Sequence, residues 1–254
     1  MIIIISPAKR LDIKTNGKIR KNTTPGFLDK STQLIEELRQ FSPTDLAVLM
    51  NVSDDIANLT FERYSQWKTP FDTENAGQAL LSFNGDVYRS MKPENFSGDD
   101  MDFAQDHLRI LSGLYGMLRP LDLIQPYRLE MGAKLITSGG KSLYQFWTGT
   151  ITEAINNDLE KHREKVLMNL ASQEYFRVID TEKLRGKVVT PVFKEYRNDK
   201  YKVIGILAKK ARGMMGRFII QNRLRKAEDI KHFSMEGYSY DDNQSSDNEW
   251  VFTR

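Results

Sequence analysis

The 254-residue chain has no cysteine, and that absence removes several chemistries at once. Disulfides, thiol nucleophiles, cysteine-ligated zinc and iron–sulfur clusters are all excluded. Histidine is scarce: His107, His162 and His232 lie far apart in sequence and show no metal-ligand spacing, so no metal site is expected. His107, on a partly apolar stretch, reads as a structural histidine. No apolar run approaches a membrane span, and Ile2–Ile5 is too short even for the core of a signal peptide. A soluble cytoplasmic protein with no membrane partner is the expectation. No dinucleotide fingerprint, nucleophile elbow or complete Walker loop occurs, and no cofactor is expected. The nearest approach is Gly140-Lys141-Ser142, but a phosphate-binding loop needs a glycine five positions earlier, where Leu135 stands. Ser142 as a helix cap is the better account.

What is present is an ordinary globular composition, 40% hydrophobic and 28% charged, with an uneven distribution of charge. The net charge is only +3, yet residues 183–231 hold 15 Lys/Arg against four acids, which leaves the remainder at −8. Such asymmetry suits an anionic partner, although a solvated basic surface would read the same way. The charge is densest in KKARGMMGRFIIQNRLRK, residues 209–226, where Lys209, Lys210, Arg212, Arg217, Arg223 and Arg225 occur with no acid among them. At about 100° per residue Ala211, Met214, Met215, Phe218 and Ile219 share one sector, which predicts an amphipathic helix anchored to a core. Gly213 and Gly216 lie on another sector between the basic residues. Lacking side chains, they permit close approach either of a second helix or of a phosphate backbone.

Ile2–Ile5 is a β-branched run ended by Ser6-Pro7 and predicts a buried central strand. Lys9 and Arg10 then fall just beyond its carboxyl end, where open α/β sheets bind ligands, although an ordinary exposed loop would place them equally well. Residues 14–30 are basic and turn-rich and predict an irregular excursion. Three helices come next, capped by Ser31, opened at Ser42-Pro43, and started by Ser53-Asp54-Asp55, whose acids serve the first turn. Residues 80–83 suggest a strand with a turn at 84–86, and Asp99-Asp100 opens a helix carrying Phe103, Ala104, His107, Leu108 and Leu111 inward.

That helix is expected to run into the glycine turn of residues 112–116, with a second short helix over 117–124. Helix, glycine turn and helix form the outline of a helix–hairpin–helix, which presents backbone N–H groups to phosphate. Ser112, Gly113 and Gly116 would form the turn, with Arg109, Arg119 and Arg128 nearby. An ordinary helix–helix connection fits the same residues, because the glycines are three apart and the commonest hairpin pattern has them two apart. Strands are then expected at 131–136 and 166–170, with a helix from Leu143 between them. A β-hairpin over 188–193 and 201–208 should lead into the basic helix, and two short aromatic strands (237–240 and 250–252) should close the chain. Ser6, Lys9, Asn169, Ser172, Glu174, Tyr175 and Lys209 could converge at strand ends, although no spacing requires it.

Several long segments resemble one family: IIIISPAKRLD, FNGDVYRSM, HLRILSGLYGMLRPLDLIQPYRLEMG, LYQFW, NLASQEYF and AKKARGMMGRFIIQNRL. Together they are similar to the YaaA family of bacterial peroxide-stress proteins over nearly the entire chain. Arg10 departs from the threonine associated with that position in the family and adds a charge. The resemblance implies a mixed α/β fold: a single compact domain with a central sheet, surrounding helices, a basic cleft and a helix–hairpin–helix-like element. It further implies binding of double-stranded DNA and a cytoplasmic role in surviving peroxide by limiting free iron and oxidative DNA damage. The lack of cysteine and of a histidine cluster argues against a high-affinity iron store.

The expected function is therefore sequence-tolerant binding of duplex DNA by a protein expected to be monomeric. Lys209, Lys210, Arg212, Arg217 and Arg223 would form a basic wall, the 112–116 turn would donate N–H groups, and Lys9 and Arg10 would sit at the edge. The principal alternative is an enzyme holding a small phosphorylated or carboxylated substrate. Lys9, Lys209 or Arg212 would then clamp the anion, with Glu174 or Tyr175 for acid–base work. A deep pocket lined by these residues would favour the enzyme, and an open groove would favour DNA. A third alternative is a module whose basic face meets an acidic protein.

Overall fold

Four consecutive isoleucines can be buried only where both faces and both edges of a strand are covered. That is where they lie in the computed structural model, which describes residues 1–13, 21–137 and 139–254. Strand β1 (Ile2–Ile5) is fully buried and pairs in parallel on one side with β5 (Leu108–Ser112) and on the other with β8 (Val166–Leu170). Beyond β8 come the parallel strand β9 (Lys187–Arg197), the parallel β12 (Glu249–Thr253), and the antiparallel edge strand β11 (Ser239–Tyr240). Antiparallel β6 (Gly116–Leu118) closes the opposite edge, and β10 (Lys200–Lys202) folds back on β9. β9 alternates buried and half-buried residues, with Val189, Pro191, Phe193 and Glu195 inward, as a half-covered strand must. Two small ribbons, β2 (Arg10–Leu11) with β4 (Phe83–Asn84) and β3 (Gly77–Gln78) with β7 (Leu123–Ile124), lie off the main sheet.

The helices form where sequence signals start them. α2 (Pro43–Met50) has a capping box between Ser42 and Asp45 with Pro43 at its first position. α3 (Asp54–Gln66) carries Asp54 and Asp55 in its first turn. α6 (Gly98–His107) has a second capping box, Ser97 with Asp100, and α7 (Leu143–Glu160) is capped by the Ser142 hydroxyl accepting from the Gln145 N–H. α1 (Leu28–Leu38) begins earlier than expected. Ser31 lies inside it and donates back to the Phe27 carbonyl instead of capping. The other α-helices among the described residues are α4 (Ala79–Ser82), α5 (Asp86–Met91), α8 (Gln173–Phe176) and α9 (Gly205–Gln221).

Several expectations are corrected. Residues 80–83 are mostly the short helix α4, and the stretch 131–136 forms no strand. β10 ends at Lys202, and the chain turns helical at Gly205, so residues 201–208 are not one strand. The hairpin between β9 and β10 holds, with Asn198 and Asp199 both at positive φ in its two-residue turn. Of the excursion expected over 14–30, residues 14–20 lie outside the described residues. The largest correction is at residues 108–124. Helix α6 stops at His107, and the chain continues as β5, a tight turn and β6, with no second helix over 117–124. An apolar run as short as Leu108–Ser112 does not distinguish helix from strand by periodicity, and pairing with β1 decides it.

Candidate anion-binding site at the strand ends

The chain leaving β1 moves toward β5, whereas the chain leaving β8 moves to β9 on the other side. That divergence opens a crevice at the carboxyl ends of β1 and β8, the usual ligand position in open α/β sheets. A cavity of about 390 Å³ lies there. The segment after β1 contributes Ser6, Lys9 and Arg10; the segment after β8 contributes Ser172, Glu174 and Tyr175. α5 supplies Asp86, Tyr88 and Arg89, α9 supplies Lys209 and Arg212, and residues 127–130 complete the lining. Of the seven residues that the sequence suggests could converge, only Asn169 stays out of this lining; its side chain is tied to Thr190 and the Ala171 N–H. Sequence reasoning does not reach Tyr88, Asp86, Arg89 and Tyr127, because α5 arrives at the site through a long-range packing contact that leaves no local signal.

The Ser6 hydroxyl accepts from the Ser172 N–H at 2.8 Å, and the Tyr88 hydroxyl donates to the Ser6 carbonyl at 2.9 Å, which fixes both strand ends. Among the described residues six cationic side chains and three carboxylates line the cavity. The carboxylates are engaged: Glu130 with Lys9 at 3.3 Å and Arg128 at 2.9 Å, Asp86 with Arg89 at 2.6 Å, and Glu174 with the Gly132 N–H at 3.1 Å. Lys209 and Arg212 have no ion-pair or hydrogen-bond partner among the described residues. Burial holds the Arg212 guanidinium below the usual arginine range, although such a group remains charged. Burial raises the phenols of Tyr88, Tyr127 and Tyr175, so they stay protonated and serve as hydrogen-bonding groups. Tyr175 is therefore a poor general base.

The other predicted contact residues divide sharply. Ser112, Gly113 and Gly116 are buried inside the fold and cannot present N–H groups to phosphate. The Ser112 hydroxyl bonds Tyr127 at 2.8 Å and accepts the Tyr115 N–H, and Trp147 donates to the Gly113 carbonyl at 2.9 Å. Gly116 sits at φ +68, where a Cβ would also strike Trp147. Arg109 is buried against Asp158 at 2.7 Å, and Arg119 is bound to Asp122 at 2.9 Å. Arg223 pairs with Asp100 at 3.2 Å and Arg217 with the Gln221 amide. Lys210 is exposed on α9, outside the cavity lining. The glycine face of α9 is a packing surface: a Cβ on Gly213 would lie 2.1 Å from the Val87 carbonyl oxygen, and one on Gly216 would lie 2.7 Å from Met91. That settles the choice for these glycines in favour of a second helix, α5. A pair of helices joined by a short turn does occur at α2 and α3, through Asn51 at φ 50. Asp54 and Asp55 already occupy the positive end of α3, so this turn is poorly suited to phosphate.

Comparison with known proteins places this chain in a family. The family model described as "Peroxide stress protein YaaA" matches residues 1–244. The chain belongs to the YaaA family. A curated relative named "UPF0246 protein" from Colwellia psychrerythraea (strain 34H / ATCC BAA-681) is 50% identical over 254 residues, covering 100% of this chain and 99% of that protein. In this family member no helix among the described residues is long and apolar enough to cross a membrane.

Proposed function

We propose that this YaaA-family protein acts in the peroxide-stress response by binding duplex DNA through its phosphates, with little sequence preference. The cavity at the strand ends has the lining expected of the enzyme alternative, with Lys9, Glu174, Tyr175, Lys209 and Arg212 together. What supports the DNA reading is the first half of α9, which continues outside that cavity. The 17 residues of that helix hold no acid, and Lys209 and Lys210 are both exposed and without an ion-pair partner among the described residues. Lys9 and Arg10, also exposed, stand at the same strand ends. Unneutralised lysines on a rigid helix suit phosphate contacts that position a duplex without reading its bases. The limiting of oxidative DNA damage that the resemblance implies would follow from protection at the DNA itself.

A salt series tests the reading. Anisotropy with a labelled duplex should show the association constant falling steeply between about 50 and 200 mM salt, with a logarithmic slope of about −0.9 per phosphate contact. Lys209→Glu/Lys210→Glu should weaken binding at least tenfold at the lower salt. Affinity that is flat with salt, or unchanged in the double variant, would remove α9 from a DNA interface.

A further inference from the structure

We propose that the cavity at the strand ends is a dedicated site for a small phosphomonoester, whose phosphate is held by Arg212, Lys209 and Arg128. Three observations carry this. Arg212 lies partly buried in the lining with no acceptor among the described residues, a costly arrangement for a guanidinium unless an anion joins it. Arg128, whose Nη2 is held by Glu130, has a buried Nε with no hydrogen-bond partner in the same lining. The three carboxylates of the lining already have donors, Arg128 Nη2 among them, so none meets Arg212 or the Arg128 Nε.

The chemistry of the lining selects the ligand class. Six cations against the three carboxylates of the lining and Asp12, which meets Arg10 at 3.2 Å, leave a surplus of about two charges that a dianionic phosphate matches better than a single carboxylate. A volume of about 390 Å³ falls in the range of small-molecule sites and exceeds what a bare phosphate needs. Pro7, Val87, Tyr127, Leu129 and Leu170 give the remaining space an apolar wall for an organic group. The phosphate could belong to a free metabolite or to the end of a nucleic acid strand. In both cases the protein recognises one terminal phosphate and a nucleotide-sized body. The inference is separable from backbone binding: the two share Lys209, but Arg212 serves the cavity and Lys210, outside the lining, serves only the exposed face of α9.

Calorimetric titration of the full chain with inorganic phosphate, adenosine 5′-monophosphate and adenosine tests it. Saturable binding of the two phosphates is expected, with the monophosphate tighter and adenosine at least tenfold weaker. Arg212→Gln should weaken the monophosphate at least tenfold, and Arg212→Lys should recover part of that loss. Lys210→Glu, outside the cavity, should leave it unchanged while weakening duplex DNA. A parallel thermal shift on each variant, confirming folding and reporting the ligand-induced rise in Tm, keeps the comparison sound. Duplexes with 5′-phosphate and 5′-hydroxyl ends distinguish the sources: a gain from the terminal phosphate assigns the site to a strand end, and equal affinity assigns it to a free phosphomonoester. Absence of saturable phosphate binding, or a folded Arg212→Gln that binds as the wild type does, overturns the proposal. Monophosphate binding without any duplex binding would leave it standing and remove the DNA reading.

Discussion

The two ends of the parallel sheet treat charge in opposite ways. At the amino end the ionic groups beside β1 are satisfied. The Met1 ammonium donates to the Glu164 carbonyl at 2.8 Å, His107 bonds the Met1 carbonyl at 2.8 Å, and Arg109 meets Asp158. At the carboxyl end Lys209 and Arg212 line a cavity and have no partner among the described residues. Both ends contain guanidinium groups withdrawn from water, yet only one of them is closed. A protein that can supply Asp158 to Arg109 is chemically able to supply an acid to Arg212. The contrast therefore separates charge that holds the fold together from charge left without a partner at the proposed ligand site.

Three changes would break or sharpen that contrast. Arg109→Ala leaves Asp158 buried with only Lys161 at 2.9 Å, and should cost about 3 kcal/mol or more of stability in urea denaturation. A cost below about 1 kcal/mol would mean the amino end is not a structural ion-pair site. His107 gives the next effect. Burial, with weaker contributions from neighbouring charge, lowers its pKa from 6.5 to about 4. The unfolded chain thus takes up a proton that the folded chain refuses. Stability should be full above pH 6.5 and fall toward pH 4, by on the order of 2 kcal/mol. His162, its ring centroid 4.4 Å away and its pKa also lowered by burial, acts in the same direction. Denaturation at about pH 7 and about pH 5 should show a slope that His107→Gln flattens, and an unchanged slope would refute the assignment. The smallest effect has the opposite sign. Arg212→Met removes an unpaired, partly buried charge and should raise the ligand-free stability by about 1 kcal/mol. A loss of stability there would show that Arg212 has a structural partner after all.

The sequence displays some of this plainly and hides the rest for physical reasons. β1, β8 and α9 are long or strongly patterned, and the caps at Ser42, Asp99-Asp100 and Ser142 carry local chemistry, so they are legible. β5 and β6 are not, because five apolar residues before a glycine turn fit a helix end as well as a strand. Lys9, Ser172, Glu174 and Tyr175 are found by asking which residues stand just beyond each buried strand, and Lys209 by the charge density of α9, since the strand expected before it ends at Lys202. Arg128 is suggested by a helix–hairpin–helix that residues 108–124 do not form, and it reaches the site for another reason. The expected hairpin misleads at Arg109 and Arg119, and charge density at Arg223, since their acidic partners Asp158, Asp122 and Asp100 are recognisable only once the chain is folded.

The contact between Gly213 and the Val87 carbonyl has a consequence for selectivity. One wall of the cavity is α5 and another is α9, and this glycine lets their backbones touch with no side chain between them. A wall-to-wall distance set by backbone contact does not yield as a methionine or leucine spacer would. Any ligand of the proposed site would then be selected by size as well as by charge. Widening the cavity would require a methyl group at position 213 to push the two helices apart.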